Sequence, residues 1–395
     1  MSIRVAGGAS MRDAELSVRE AASGRRGVAR YGFDLAQPAD DPQLRRLLRS
    51  IRVDGSVSIS MQREPNFFAP CSSEGDFCQV LAARDRDTAE IVGMGIRSVR
   101  QRYVDGQVRS IGYLSGLRIS PDCRRGTLLA RGYRFLRELD EDGRAEFYIT
   151  TLSVGNEVAA KALAAGRAGL PHYRKIGRLN TWIIPRRTSR TTRRADLAIR
   201  PIDDDSIPAL ISFLERAAGE REFVPCYRER DLRLPSDVFR GMRPTDLKGL
   251  WLDNQLVATL GVWDQRGMKQ IVVERYGWWL AAARPVYNLV APVIGRPRFP
   301  SPGDCLPLVC AMLPLATRAG RHRFGELIDC VAADLPPEVD GIMFGLSDND
   351  PLTASVRSRA IHMYPADIFL VSWDRERIES RNWQESIPYL ELGTL

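Results

Sequence analysis

One stretch of the sequence, Ile111–Gly132, constrains the fold more than any other. Its first nine residues are mostly apolar and predict a β-strand, and the next seven form a turn that holds Arg124, Arg125 and Gly126. From Leu128 onward, apolar residues recur at helical spacing, so an amphipathic helix follows. The N-terminus of a helix presents unpaired N–H groups and the positive end of the helix dipole. The stretch therefore predicts a site for a phosphate-bearing ligand, with the two arginines beside it.

The residues around this stretch predict an alternation of strands and helices. The order is strand, helix, three antiparallel strands, helix, strand, helix, strand. It begins at Tyr31–Leu35 and ends at Ile176–Ile184. Asp105-Gly106 is a typical tight-hairpin sequence between two of the antiparallel strands. Asn156 is a typical N-cap for the last helix.

The second half of the chain resembles a diverged copy of the first. Ile149–Asn156, a strand reaching a capped helix, is echoed by Met343–Asp350, and Pro351 is suited to the first helical position. An arginine-rich segment without apolar periodicity separates the halves. The predicted organisation is a flexible leader (1–28), a first domain (29–185), a basic linker (186–196) and a degenerate second domain (197–395).

Residues 29–185 resemble the GNAT superfamily of acyl-CoA-dependent N-acetyltransferases. The resemblance rests on the strand–turn–helix at 111–139, the strand ending at Asn156, and the segment Tyr173–Gly177. In that family an Arg/Gln-x-x-Gly-x-Gly/Ala turn binds the coenzyme A pyrophosphate through backbone amides. The resemblance implies an α/β protein with two GNAT-like domains, each a mixed, mostly antiparallel sheet flanked by helices. The C-terminal domain is expected to have lost coenzyme binding.

The turn departs from the family pattern in either register. If Arg124 leads, the two small positions fall on Thr127 and Leu129. If Gly126 is the first glycine, the arginine position falls on Cys123. A Cβ at a position of close approach crowds a phosphate. The resemblance nevertheless implies that acetyl-CoA or another acyl-CoA is a co-substrate, bound by Leu117, Arg118, Ile119, Arg124, Arg125, Gly126, Thr127, Leu128 and Asn156.

Tyr173 is the candidate catalytic residue. The family's Tyr-x-Lys-x-Gly-Phe segment places a tyrosine near the thioester sulfur, where a phenol can protonate the leaving thiolate. Lys175 and Gly177 match this segment, and a half-buried structural tyrosine is the alternative reading. No Asp or Glu lies on the 108–119 strand to act as a base. Tyr113 or Ser115 could relay a proton through water instead.

The composition excludes several other classes of protein. Seven cysteines form no Cys-x-x-Cys pair, and their odd number favours a reducing, cytoplasmic compartment. The three histidines are far apart, so we predict no metal site. Trp278–Gly295 is apolar but interrupted by Arg284 and two prolines. We therefore expect a buried or partner-facing segment and no membrane partner.

The function predicted from the sequence is transfer of an acetyl or other short acyl group to an amine on a small molecule or peptide. One alternative is a non-catalytic acyl-CoA-binding protein of the same fold. Another is an aminoacyl transfer from tRNA by tandem GNAT-like domains, which the net charge of +8 favours. The sequence shows no helix typical of base recognition and no aromatic residues interleaved with basic ones. A nucleic-acid partner is therefore not expected.

Overall fold

The computed structural model describes residues 30–123, 127–155, 169–187, 198–291, 293–294 and 296–395. The strands in these residues are β1 (Tyr31–Leu35), β2 (Arg52–Val53), β3 (Val57–Gln62), β4 (Phe77–Asp85), β5 (Ile91–Val104), β6 (Gln107–Ile119), β7 (Tyr148–Ser153), β8 (His172–Pro185), β9 (Ala198–Pro201), β10 (Leu247–Leu252), β11 (Gln255–Trp263), β12 (Gln270–Tyr276), β13 (Leu308–Ala316), β14 (Gly341–Ser347) and β15 (His362–Ser372).

The α-helices of the described residues are mostly short. They are α1 (Asp41–Ser50), α2 (Cys71–Glu74), α3 (Leu128–Asp140), α4 (Ile207–Ala218), α5 (Glu229–Leu232), α6 (Trp278–Val290), α7 (Phe324–Ala333), α8 (Thr353–Arg357) and α9 (Arg375–Glu379). The predicted leader and the predicted N-cap Asn156 lie outside the described residues, as does most of the predicted linker.

Twelve strands form one mixed sheet in the order β1-β4-β5-β6-β7-β15-β8-β14-β13-β11-β10-β9. Neighbours are antiparallel except for β6–β7 and β13–β14, which are parallel. Counted inward from either edge, the parallel pair joins the fourth and fifth strands. The two halves of the sheet therefore share one strand order, and the mixed, mostly antiparallel α/β fold predicted from the sequence is confirmed.

The last strand of each half is exchanged with the other half. β15, near the end of the chain, pairs with β7 of the first half, and β8 of the first half pairs with β14 of the second. β15 and β8 also pair with each other, from His362↔Ile183 to Ser372↔His172. The two half-sheets are thereby joined into one.

A second, three-stranded sheet has the order β12-β3-β2 and also links the halves. Ser60 on β3 donates a hydrogen bond to Glu274 on β12 (2.7 Å). The side chain of Gln270 bonds both backbone groups of Glu64 (2.9 and 3.0 Å). The halves therefore contact each other along backbone ladders in two sheets.

Tight turns follow the local sequence. Asp105 and Gly106 connect β5 to β6 with φ of 55° and 69°, the left-handed pair that a two-residue hairpin requires. Asp253 and Asn254 do the same between β10 and β11. The predicted position of Pro351 is wrong: α8 begins at Thr353, because the Asp350 carboxylate accepts the Leu352 N–H (2.8 Å) in a preceding turn.

Within the apolar segment 278–295, the helix α6 (Trp278–Val290) is mostly exposed. Of its helical residues only Leu280 is buried, and Trp278 and Leu289 are 86% and 79% exposed. The helices found in the described part of the chain are too short or too polar to cross a bilayer.

Candidate active site

The first parallel strand pair separates after a short ladder. β6 and β7 pair only at Gly112↔Tyr148 and Tyr113↔Ile149. Beyond this point the Thr150 hydroxyl, and not a backbone N–H, donates a hydrogen bond to the Leu114 carbonyl (2.8 Å). No further β6–β7 ladder pair occurs in the described residues. A backbone edge is therefore available on β6 beside a widening gap between the two strands.

A bulge in β6 lies at this opening. The register with β5 shifts between Met94 and Ile96, opposite Gly116. Gly116 has φ of 62°, and a Cβ there would lie 2.8 Å from Ile96 Cδ1. Only glycine adopts this conformation without strain. A bulge of this kind redirects backbone N–H groups away from the ladder, and such groups can bind a carbonyl oxygen.

The N-terminus of α3 follows the same strand. Thr127 is exposed and makes no side-chain cap bond, so its side chain leaves the first N–H groups of α3 unoccupied. Arg131 fixes the helix to β1: it donates to the Tyr31 carbonyl, and its guanidinium lies 5.3 Å from the Phe33 ring centroid. A helix dipole thus ends beside the opening of the sheet.

The structure brings five of the nine predicted coenzyme residues to this corner. Leu117, Arg118 and Ile119 end β6, and Thr127 and Leu128 begin α3. Arg124, Arg125, Gly126 and Asn156 lie outside the described residues, so their roles stay predictions.

Two of these residues differ strongly in their surroundings. Leu128 is buried, so only its backbone can meet a ligand at this corner. Burial and the nearby Arg63 hold the pKa of Arg118 below its usual value. Arg118 donates to the Leu117 carbonyl at 2.9 Å, and its Nε has no partner.

Tyr173 lies at the start of β8, on the same side of the sheet as α3. Its hydroxyl bonds the hydroxyl of Tyr133 on α3 (2.6 Å), and its ring packs edge-on against Phe369 at 6.1 Å. Burial, aided by Tyr133, raises the pKa of Tyr173 well above its usual value. The phenol therefore keeps its proton at neutral pH and can act as a proton donor. Its predicted catalytic role remains a prediction.

The opposite face of the sheet carries Tyr113. Its hydroxyl bonds Thr151 (2.8 Å), and burial raises its pKa to about 12. In the β5–β6 register, Ser98 is opposite Tyr113, and Arg100 and Arg102 follow at alternate positions. Side chains at alternate positions of a strand share a face. The gap thus separates an α3 side from a side bearing Tyr113 and two arginines.

Arg100 and Arg102 are buried without a carboxylate partner. They are 3% and 1% exposed, and neither has a salt bridge within the described residues. Arg100 donates to the Ser73 carbonyl (3.0 Å) and lies over the Tyr227 ring at 5.2 Å. Arg102 donates to the Phe223 carbonyl (3.1 Å). The Nε atoms of both arginines lack partners.

Glu391 lies close enough to both arginines for their charges to act on its carboxyl group. It is fully buried, and burial raises its pKa to about 7 despite the opposing effect of neighbours that include Arg102 and Arg100. Oε2 accepts hydrogen bonds from the Leu313 N–H (2.9 Å) and the Tyr389 hydroxyl (2.5 Å). Oε1 has no partner. A carboxylate with this pKa can accept a proton near neutral pH.

The corresponding gap in the second half is filled by the chain itself. β13 and β14 pair from Leu308 to Cys310 and then separate, and Leu313 has φ of 47° at the counterpart of Gly116. The Glu391 carboxylate accepts a hydrogen bond from the Leu313 N–H of that bulge. A Cβ on Gly345 would lie 3.1 Å from Leu392, so the tail packs directly against β14. This arrangement supports the prediction that the second half has lost coenzyme binding.

The turn after β13 is closed as well. It leads through Gly320 to α7, as the turn after β6 leads to α3. A Cβ at Gly320 would lie 2.4 Å from the Val257 carbonyl oxygen, so the turn packs directly against β11. The space that a phosphate needs is taken by backbone there.

A group of three side chains has the composition of a metal site. Cys71, Glu74 and Cys78 place one ligand atom each within 4.8 Å of the others. However, Glu74 already forms ion pairs with Arg63 and with Lys269 (2.9 Å). Two adjacent cations disfavour a metal ion at this carboxylate.

Sequence reasoning missed Arg100, Arg102, Tyr227 and Glu391. The arginines had a usable signal, because they stand two residues apart in a run that predicts a buried strand. Glu391 had none, since it follows the last strand in a segment without periodicity.

Comparison with known proteins supports the fold. No protein-family model and no curated protein sequence matches the chain. Among solved structures, Saccharomyces cerevisiae N-myristoyltransferase with bound myristoyl-CoA superposes with a TM-score of 0.57 at 10% identity. The superposition covers 88% of this chain and 84% of that one. A GCN5-related N-acetyltransferase from Sphaerobacter thermophilus gives 0.52 at 13% identity over 93% and 99%. The chain therefore shares its overall fold with these two structures.

Proposed function

We propose that the protein is an N-acyltransferase that moves an acyl group from acyl-CoA to an amine, with acetyl or another short chain as the donor group. The single observation that carries the proposal is the opening between β6 and β7 beyond Tyr113 and Ile149, beside the N-terminus of α3. A fold shared with acyl-CoA-dependent enzymes adds support.

The donor binds on the α3 side of the sheet. Its pyrophosphate lies at the first turn of α3, where Thr127 and Leu128 provide N–H groups and the dipole favours an anion. Its pantetheine arm follows the free edge of β6 past Leu117. The thioester then reaches the bulge at Gly116, where a backbone N–H stabilises the negative charge that develops on the carbonyl oxygen.

Transfer needs two proton movements. The amine nitrogen attacks the thioester carbon and passes a proton to water on the Tyr113 side of the sheet. The carbon–sulfur bond then breaks, and the thiolate takes a proton from the Tyr173 hydroxyl. The Tyr133 hydroxyl, 2.6 Å from that of Tyr173, orients this proton or replaces it after transfer. Positioning and electrostatics provide most of the acceleration.

The donor chain length and the acceptor are the finer parts of this proposal. The yeast N-myristoyltransferase structure contains myristoyl-CoA, so long-chain donors are the alternative to acetyl-CoA. The acceptor is an amine on a small molecule or peptide. We also infer a cytoplasmic location, which the odd number of cysteines and the absence of a Cys-x-x-Cys pair support.

The donor site is tested with Thr127→Asp, measured by calorimetric titration with acetyl-, octanoyl- and myristoyl-CoA. Asp is a favourable N-cap, so the helix keeps its stability. Its carboxylate, however, occupies the place of the pyrophosphate, and we expect at least a tenfold loss of affinity. Thr127→Asn is the matched neutral control and should bind as the wild type does. Equal affinity in both variants contradicts the proposal, and binding without turnover on any amine identifies a non-catalytic acyl-CoA-binding protein.

A further inference from the structure

The unpaired arginines Arg100 and Arg102 indicate what kind of acceptor the enzyme uses. We propose that they bind the carboxylate of the acceptor while Glu391 receives its amine, so that the acceptor is an amino acid or another molecule with a carboxylate close to its amine. The inference rests on the proposed function, which it deepens by naming the acceptor class.

The charge balance of the buried arginines carries the argument. Three other arginines of the described residues are buried, and each has a carboxylate: Arg63 with Glu74, Arg97 with Asp142, and Arg221 with Asp350. Arg100 and Arg102 have only carbonyl oxygens and an aromatic ring. A buried guanidinium without a counter-ion is costly, and a bound anion removes that cost. The fork geometry of arginine suits a carboxylate in particular.

Burial also shows that the two cations repel each other. Desolvation, with Arg100 as the next cause, lowers the pKa of Arg102 to about 10. Arg102 is nevertheless charged at neutral pH. Glu391 lies near both arginines but accepts its hydrogen bonds from the Leu313 N–H and the Tyr389 hydroxyl. A carboxylate on a bound molecule supplies the salt bridge that neither arginine has within the described residues.

The unpartnered polar atoms of this cluster point to a bound molecule. They are the Nε atoms of both arginines, Oε1 of Glu391 and the hydroxyl of Tyr227, all on residues at most 5% exposed. Donors and an acceptor that lack partners inside a protein are normally satisfied by water or ligand. The guanidiniums match a carboxylate, and Oε1 of Glu391 matches an ammonium group.

The position agrees with acyl transfer. Arg100, Arg102 and Tyr113 share one face of the β5–β6 ladder, and the charge of Arg102 acts on Tyr113. Tyr113 stands three residues before the bulge at Gly116. An acceptor held by the two arginines therefore lies along the face from which its amine approaches the thioester. Glu391 takes the ammonium proton, and the freed nitrogen pair forms the new bond to the acyl carbon.

The test compares Arg102→Met with Arg221→Met in thermal unfolding without ligand. Arg221→Met leaves Asp350 buried without its partner, so its Tm should fall. Arg102→Met removes an uncompensated charge, so its Tm should stay the same or rise. A fall in Arg102→Met equal to that in Arg221→Met overturns the proposal, because it shows that Arg102 serves the fold.

The ligand is tested with the twenty standard amino acids and with their carboxamides as probes. In the wild type at least one amino acid should raise Tm and accept the acyl group at least tenfold faster than its amide. Arg102→Met should lose this preference while keeping acyl-CoA affinity. If no amino acid raises Tm, or if amides act equally well, the acceptor proposal fails. Acyl-CoA titration of the same wild-type sample tests the proposed function separately.

A different observation concerns the outer face of α6. Its polar side chains turn inward and hold the segment 297–301: Arg284 and Asn288 donate to the Phe299 carbonyl (3.1 and 2.8 Å), and Tyr287 donates to the Pro297 carbonyl (3.1 Å). The large side chains left exposed are apolar, namely Trp278, Trp279, Val286, Leu289, Val290 and, just beyond the helix, Val293 and Ile294. A surface helix of a soluble protein normally buries its apolar side chains and exposes its polar ones.

We infer that this face binds an anionic lipid surface. Residues 277–303 contain no Asp or Glu, and Arg296 and Arg298 are exposed, so the charge around the apolar face suits a negative surface. Two adjacent tryptophans, Trp278 and Trp279, are typical of a helix that lies at the membrane interface. The inference replaces the sequence-based expectation of no membrane partner.

Vesicle sedimentation tests this inference. Wild-type protein should pellet with phosphatidylcholine/phosphatidylserine vesicles, less with phosphatidylcholine alone and less at high salt. The double variant Trp278→Ser/Leu289→Ser, altered only at exposed positions, should lose most of this binding without a change in Tm. Wild-type protein that stays in the supernatant overturns the inference. So does light scattering that shows a dimer which the double variant abolishes.

Discussion

Gly112 on β6 lies directly against the ring of Tyr148 on β7, in the first of the two residue pairs that join these strands. A Cβ at position 112 would lie 2.1 Å from Tyr148 Cδ1. The ring cannot move aside easily, because its hydroxyl donates to Asp140 (2.6 Å) and accepts a hydrogen bond from buried Arg97 (2.8 Å). The short β6–β7 ladder therefore begins at a glycine and a tyrosine that fit each other closely.

Gly112→Ala is expected to destabilise the protein by about 3 kcal/mol, the upper range for overpacking a core. Urea unfolding measures this loss. Gly95→Ala is the matched control on β5, since nothing lies within 4 Å of a Cβ at that glycine. Equal unfolding midpoints for the two variants would show that the ring yields without cost.

Glu391 predicts a pH dependence of stability. Its pKa is raised to about 7 in the folded protein, whereas an unfolded glutamate titrates near 4.3. Between these two pH values the folded state binds more protons than the unfolded state. The stabilisation that protonated Glu391 gives the folded state is therefore complete below about pH 4 and is lost as the pH rises to about 7. Full ionisation of this buried group costs on the order of 3 kcal/mol.

Glu391→Gln removes this titration. We expect the Tm difference between Glu391→Gln and the wild type to increase from pH 5 to pH 8 and then to remain constant. Thermal unfolding curves recorded over this pH range measure the difference. Glu338→Gln, at an exposed position, serves as the control. Parallel wild-type and Glu391→Gln profiles over this range contradict the assigned pKa.

Local features of the fold could be predicted from the sequence, and distant pairings could not. The hairpin at Asp105-Gly106 and the amphipathic helix α3 depend on neighbouring residues, so their patterns identify them. The exchange of β8 and β15 depends on register between residues such as Ile183 and His362, which are far apart in the chain. The hydrophobic pattern of a strand does not identify the strand with which it pairs.

The candidate site divides in the same way. The strand–turn–helix at 111–139 marks the coenzyme side, because dipole and turn chemistry are local. The acceptor side that we propose combines Arg100 and Arg102 of β5 with Glu391, nearly 300 residues later. Only the folded chain brings them together.

Tyr173→Phe tests the proton donor. We expect turnover to fall about a hundredfold, the lower range for loss of a general acid. Acyl-CoA affinity should be retained, because the ring and its contact with Phe369 remain. Steady-state release of free thiol and calorimetric titration measure the two quantities.

Tyr133→Phe provides the comparison, since it removes the hydroxyl bonded to Tyr173 and leaves the donor itself in place. Its turnover should fall less than that of Tyr173→Phe. Unchanged turnover in Tyr173→Phe eliminates the acid role and leaves a structural tyrosine.

The exchanged strands predict that neither half folds alone. A fragment of residues 29–185 keeps β8 but loses β14 and β15, the two strands that flank it. A strand with both edges unpaired exposes a row of backbone polar groups and tends to aggregate. The separate fragment should therefore be aggregated or lack a cooperative unfolding transition. Co-expression with residues 197–395 should restore both ladders and yield a stable complex that co-purifies. A soluble 29–185 fragment with its own cooperative transition would show that β8 can return to its own half, and that the exchange is not required for folding.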